Sequence, residues 1–555
     1  MTEKRRNEKS ILESTLFMYI ALILTRVLGL VFNIPFYDLL EDSGYYVYSC
    51  AYTVYNLFLD ISTLGIPIAM SIIISEYNSL KKYKSKAKAY RIGQISTAFL
   101  AIGSFIFVQL FARKLAGIYY VETDGVTLDD IVVAIRIVAV CLLVIPFLGI
   151  KRGYLQGHRL FDPSSLSQLV EQVVRVVFVL ASAYIVIEVL NLGVIKGVYI
   201  SLVGTIISGV AAIVFINNQI SKNKNVFDND DISNDEIVEP TNKMIRKIWT
   251  YCVMVSSINV FQSIHMIVRI NLLNTTLMKL GFSGDAILNV TNNVSQLAPR
   301  TCLIISSLSM ALTTSVIPHV SGNYAKNDYA SVRKSLNQSV SIVLAISTPL
   351  SIGMFLLASP VHAMFYKYDA YGFGALILQF DILLHCVHNL TMVFDSALQG
   401  MNRKVFVCVS TIICYSLSIL LEVPLIYLFN TIGFAPYLGA MVSSIIGHIV
   451  LLILQSKSLK ETVNYNLRSM LPMIKKLVIP LCLMTITVVF MKFVLPIPFG
   501  IGRLKLFLYC LAYAIIGGLV YALAALKTGA LEDLMQSDRI KNMLNRISMR
   551  IKKKN

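Results

Sequence analysis

Fourteen apolar runs of about 20 residues recur along the chain, centred near residues 21, 64, 100, 140, 179, 206, 262, 309, 346, 386, 416, 444, 483 and 515. A helix of that length crosses the hydrocarbon of a bilayer, and inside it the backbone must satisfy its own hydrogen bonds. Several runs contain Pro or Gly, which a membrane helix tolerates when neighbours satisfy the freed groups. The pattern predicts an all-α polytopic membrane protein with 14 transmembrane helices. Composition agrees, with 56% hydrophobic and 14% charged residues. The first run, from about Ile11 to Val31, is long enough to span and has no A-x-A cleavage pattern, so no cleavable signal peptide is expected.

A net charge of +18 would suit a nucleic-acid binder, but its placement excludes that class. The basic residues sit in short segments between apolar runs. Thirty-six of the 49 fall on one set of alternating sides, nine on the other and four within spans. Lys and Arg stay on the cytoplasmic side of a bilayer, so both termini are expected there. The four cations within spans are Arg26, Arg136, Arg175 and Arg269. The acids within spans are Asp60, Glu171, Asp381, Asp395 and Glu422. Charges in hydrocarbon are expensive, so each is expected to face protein or a water-filled cavity. The nine cysteines form no CxxC pair and no ligand spacing with His, and read as small buried hydrophobes.

The stretch from Lys151 to Arg175, KRGYLQGHRLFDPSSLSQLVEQVVR, reads as a short basic loop followed by the first turns of an apolar helix. Asp162 or Ser164 can cap that helix, with Pro163 near its first turn. Glu171 and Arg175 lie four apart, in pairing reach on one face, either as a bridge locking helices or as a gate that exchanges partners. This stretch resembles the signature RGYxQGxxxxxPxxxSQxxEQxxRV of the MOP-type flippases. Arg152, Gly153, Tyr154, Gln156, Gly157, Pro163, Ser167, Gln168, Glu171, Gln172, Arg175 and Val176 all fall in register. The branch it is most similar to is the MurJ/YtgP/SpoVB group. LTRVLGLVFNIPF around Arg26 resembles the first-helix segment of that family, and Ser62–Pro67 resembles its STxGIP segment, where Gly65 and Pro67 should bend the helix.

The resemblance implies two six-helix lobes around a central cavity plus two extra C-terminal helices. An internal repeat points the same way. YLQG at Tyr154–Gly157 recurs as ALQG at Ala397–Gly400, and EYNSLKKY recurs loosely as NYAKNDY at nearly the same offset. Both pairs lie on the same side, so the repeat is parallel. The expected division is an N-lobe at 1–216, a polar cytoplasmic linker at 217–246, a C-lobe at 247–456, two further spans at 457–530 and a basic amphipathic tail at 531–555.

Within that fold the family's cavity arginines imply that Arg26 and Arg269 bind substrate, since guanidinium binds phosphate bidentately. Asp38, at the acidic outer end of the first helix, and Asp60, after the aromatic run Tyr52, Tyr55 and Phe58, are further cavity candidates. The chain departs from the family in two places. The seventh helix, SINVFQSIHMIVR, has no acid, and Glu422 stands where many members have lysine. Ion coupling, to Na+ or H+ or through the membrane potential, would then fall to His265, Glu422, Asp381 or Asp395, with His385 and His388 as further proton sensors. No cofactor or metal is expected.

The implied activity is translocation of a lipid-linked oligosaccharide, lipid II above all, from inner to outer leaflet by alternating access. Another undecaprenyl-linked glycan (sporulation, teichoic or capsular) is the nearest alternative, and a drug/cation antiporter of the same superfamily the next. The expected partners are that glycolipid, membrane lipids and cell-wall synthesis proteins, with no nucleic acid, for a monomeric protein. An enzyme is not expected. The longest external loop, about 271–300, carries one acid, Asp285, and no nucleophile or metal constellation.

Overall fold

The computed structural model describes residues 25, 28–29, 31–63, 65–122, 125–158, 160–222, 238–366, 372–498 and 500–530. Arg26 and the C-terminal tail at 531–555 lie outside the described residues, as does the acidic centre of the linker. The chain divides into two compact units, Met1–Ser295 and Gln296–Asn555.

The first unit holds α1 (Asn33–Thr63), α2 (Ile66–Ser79), α3 (Tyr83–Tyr119), α4 (Leu128–Ala139), α5 (Ile145–Gly157), α6 (Phe161–Tyr184), α7 (Val194–Lys222), α8 (Thr241–Lys279) and α9 (Gly284–Asn292). The second holds α10 (Ala298–Ala325), α11 (Tyr329–Leu356), α12 (Ala358–Tyr366), α13 (Phe373–Gly400), α14 (Lys404–Thr431), α15 (Leu438–Val463), α16 (Leu471–Val494) and α17 (Arg503–Lys527). Among the described residues, 11 helical segments are long and apolar enough to cross a membrane. Two further runs, near 262 and 309, fall in the long helices α8 and α10. The protein is an all-α, multi-pass membrane protein.

Helix α8 packs against α1, α2 and α3 inside the first unit, although the internal repeat groups it with the chain that follows. The segment 271–300, read from sequence as an external loop, is mostly helix: α8 runs to Lys279 and α9 covers Gly284–Asn292. Its polar residues turn inward. Asn274 donates to Tyr46 and accepts from Thr291, while Asn289 and Asn292 donate to Asp42. A run rich in Asn reads as loop only when its amides have no partners within the fold.

Gly65, at φ +65°, separates α1 from α2, and Pro67 sits in the first turn of α2. A left-handed residue followed by a proline ends one helix and starts the next. The expected bend at this segment is therefore a full break. Opposite it, Gly149, Gly153 and Gly157 recur every fourth residue on one face of α5. A Cβ at Gly153 would lie 2.2 Å from the Pro67 carbonyl oxygen, and one at Gly157 2.6 Å from Ile74 Cβ. Small residues at this spacing let two membrane helices touch backbone to backbone. Consequently Arg152 to Gly157 is helix and His158 begins the turn, while Arg159 lies outside the described residues. The basic loop read from the sequence shrinks to that turn. The α6 helix is capped by neither Asp162 nor Ser164, because its N-cap is Leu160, with no side-chain cap bond.

Replacing Gly153 by Ala forces α5 away from Pro67. Such overpacking costs about 1–3 kcal/mol, so Gly153→Ala is expected to lower the melting temperature of the detergent-purified protein. Gly117→Ala, which meets nothing within 4 Å, is the control and should leave it unchanged. Equal melting of the two variants would contradict the close contact.

Candidate functional site

Because α5 lies so close to α2, its polar residues are held in register against the start of α6. Gln156 Nε2 donates to Ser164 Oγ at 3.0 Å. Arg152 donates through Nε to Ser167 Oγ at 2.8 Å and through Nη2 to Glu171 Oε2 at 2.8 Å. Both charged side chains of that pair are 16% exposed. The signature spacing thus has a physical content. Its Arg, Gln, Ser and Glu tie two antiparallel helices together across the turn.

This changes the partner of Glu171. The sequence pairs it with Arg175, four residues on, but its ion pair is with Arg152. The helix face allows the local pair, yet the guanidinium brought in by α5 takes the carboxylate with good geometry and a second bond to Ser167. Arg175 instead donates through Nη2 to Gln172 Oε1. Its electrostatic neighbours are Tyr48, Tyr52, Tyr55 and Glu171. The three tyrosines form a ladder along α1, with ring centroids 4.5 Å and 5.6 Å apart. Tyr52 also hydrogen-bonds Thr205 of α7. Arg175 thus lies among tyrosines and a carboxylate within the first unit.

A second polar group joins α1 to α8. Ser263 Oγ donates to Asp60 Oδ2 at 2.7 Å, and Asp60 is half-buried. Further along α8, His265 and Arg269 are 7% and 6% exposed and four residues apart, hence on one face. Asp38 is half-buried on α1 ahead of the non-helical Glu41, and Tyr37 donates to Asp42 at 2.5 Å just beyond it. Arg136 is exposed on α4.

The remaining candidates lie in the second unit. Asp395 of α13 accepts from Gln455 of α15 at 2.6 Å. Asp381 is 2% exposed, with its carboxylate 3.2 Å from His385 Nδ1. Glu422 is fully buried on α14. Rings of His385, His388 and His448 follow one another at 6.0 Å and 5.4 Å.

The end of α2 carries a further cluster that the sequence reading did not single out. Glu76 pairs with Lys247 at 2.7 Å. Glu239, just ahead of α8, accepts from Tyr77 at 3.0 Å and lies 3.8 Å from Lys82, while its backbone oxygen accepts from Lys88 at 3.1 Å. The described end of the linker is thus pinned. Nearby, Lys86 Nζ lies 3.2 Å from His158 Nε2, and His158 Nδ1 lies 2.9 Å from the Tyr154 carbonyl. Burial, aided by the Lys86 charge, pushes the His158 imidazole down to about 4.

A signature-bearing helix pair, buried cations and this helix order find a match among known families. The profile of the polysaccharide biosynthesis protein family covers residues 11–324, more than half of the chain. The chain belongs to that family. A second profile, MatE, matches residues 254–423. The lipid II flippase MurJ of Bacillus subtilis (strain 168) is 26% identical over 539 residues, 95% of this chain and 96% of its own length. The structure of a lipid II flippase MurJ in an inward closed conformation superposes with a TM-score of 0.65 at 15% identity, covering 92% of this chain and 98% of that one. An outward-facing multidrug-resistance MATE transporter gives 0.59 at 16% identity, over 82% and 96%. As a member of the polysaccharide biosynthesis protein family within the MOP superfamily, the chain is a transporter and not an enzyme.

Two predictions follow from the network of this family member. Removing one partner of a largely buried ion pair costs about 3 kcal/mol. Glu171→Ala and Arg152→Ala should each lower the melting temperature, and in a double-mutant cycle their coupling should exceed that of Glu171 with Arg175. A larger Glu171–Arg175 coupling would contradict the pairing. His158 binds its proton less readily folded than unfolded, so it withdraws stability as pH falls from 6.5 towards 4. His158→Gln should flatten that part of the profile measured by thermal unfolding, and an unchanged slope would refute the assignment.

Proposed function

We propose that the protein is a lipid-linked oligosaccharide flippase and that its substrate is lipid II. The observation that carries this reading is a near-full-length likeness to a protein named lipid II flippase, in a chain whose helix α8 holds the buried Arg269. A diphosphate needs donors that keep their charge in a poorly hydrated site. Arg269 on α8, with Arg26 on the first apolar run, supplies guanidinium groups for it, and Asp60 and Asp38 line the same route. The prenyl tail stays in the bilayer. An apolar cleft of about 510 Å³ on the second unit, lined by residues such as Pro349, Leu357, Met484 and Tyr513, supports a place for a hydrocarbon chain.

The working cycle is alternating access, reset by the membrane potential or a Na+ or H+ gradient. Fourteen spans, in two six-helix lobes with two additional helices, both termini in the cytoplasm and location in a bacterial plasma membrane complete the reading. The charge distribution supports that orientation. The MatE match favours a second reading, a drug/cation antiporter. Cationic drugs call for an acidic site, and the arginines of the first unit oppose it.

The test is depletion of the protein in cells, with externally exposed lipid II quantified by a lipid II-cleaving toxin. Exposure should fall, and wild type should restore it. One charge-assisted hydrogen bond contributes about 1.5–3 kcal/mol, so Arg269→Ala and Arg26→Ala should each restore about a tenth or less at equal membrane abundance. Undiminished exposure on depletion, with no redundant flippase present, would overturn the lipid II assignment. Full rescue by both variants would return the arginines to a packing role.

A further inference from the structure

Cys302 of α10 and Asp381 and His385 of α13 bring one sulfur, one carboxylate oxygen and one imidazole nitrogen to within 4.8 Å of one another. The two helices pack extensively within the second unit. Cys302 is fully buried and Asp381 is 2% exposed, while the His385 side chain keeps 14% of its surface. His385 Nδ1 faces two oxygens of Asp381, the backbone carbonyl at 2.9 Å and the carboxylate at 3.2 Å. The Asp381 carboxylate faces the Cys302 thiol as well. Lone pairs converging at a buried point need something positive among them, either a proton or a metal ion.

From this arrangement we propose that Cys302, Asp381 and His385 form a binding site for a soft divalent cation of the zinc class, which staples α10 to α13. Three properties favour a metal of that class. A thiolate and an imidazole suit zinc and disfavour Na+, Mg2+ and Ca2+, which take oxygen ligands. One thiolate and one carboxylate balance the charge of a divalent ion, so the filled site is neutral in a low-dielectric interior. Three ligands leave the fourth tetrahedral position for water or a nearby hydroxyl, as in open zinc sites. His385 is the partly exposed member and gives the ion its way in. Binding releases the thiol proton to solvent, so affinity rises with pH. This site does not depend on the flippase reading, and all three of its residues belong to the second unit.

The test uses the full-length protein purified in detergent, stripped with a chelator and titrated with Co2+ and then Zn2+. Wild type should take up one Co2+, with a thiolate-to-cobalt charge-transfer band and the visible bands of a tetrahedral ion, and Zn2+ should displace it. Cys302→Ser should abolish the charge-transfer band. Asp381→Asn and His385→Gln should each weaken Zn2+ binding on the order of 100-fold, since even outer-shell changes cost up to that much. Cys482→Ser, at an exposed cysteine, should bind as wild type does. Absence of the thiolate band in wild type would overturn the site and leave Cys302, Asp381 and His385 as a closed hydrogen-bond chain. That readout needs no variant, so a misfolded mutant cannot obscure it. A band that persists in Cys302→Ser, or Zn2+ binding untouched by all three substitutions, would equally overturn it and point to adventitious surface binding.

Discussion

A charged side chain in hydrocarbon has to find its partner inside the protein, and the partner has to be held still. In the first unit that requirement is met by the close contact of α5 with α2. Gly149, Gly153 and Gly157 let the two backbones touch, and this aims Arg152 at Glu171 and Ser167. Without the glycine face the arginine would move outward, and a carboxylate would be left on an apolar helix. Small residues and charges are thus parts of one device, which explains why both occur in one short stretch of sequence.

The second unit handles buried polarity differently. Asp395 is matched by a neutral amide from Gln455, and Asp381 by an imidazole that is charged only when protonated. An amide carries no charge and an imidazole carries one only with a proton, whereas the guanidinium that holds Glu171 is always charged.

Much of this was legible in the sequence. Length and apolarity identify membrane helices without tertiary information, and the runs near 262 and 309 reappear as α8 and α10. Periodicity cannot say which of two allowed partners a charge takes. Glu171 is four residues from Arg175 but nineteen from Arg152, and only the packing of α5 against the start of α6 brings the distant pair together. For the same reason basic residues read as loop when a glycine face, rather than hydrophobic periodicity, holds them in helix. The network from Asn274 to Asn293, in which Asn293 donates to the Asn289 carbonyl, and the Cys302 cluster went unread because each depends on helices brought together from distant parts of the chain. Their local signals, Asn at four-residue spacing and Asp381 four before His385, occur in many structural helices. Asp60 and Arg269 were found by the cost of charge in a membrane alone.

Movement of a lipid-linked diphosphate across a bilayer, as proposed above, can be followed by reconstituting the purified chain into vesicles carrying a fluorescent lipid II analogue on one leaflet, with a membrane potential imposed and a membrane-impermeant quencher added afterwards. Protein-containing vesicles should redistribute the analogue between leaflets faster than protein-free vesicles do, and Arg269→Ala should slow this to near the protein-free rate. Redistribution no faster than in empty vesicles, under either polarity of the potential, would contradict it.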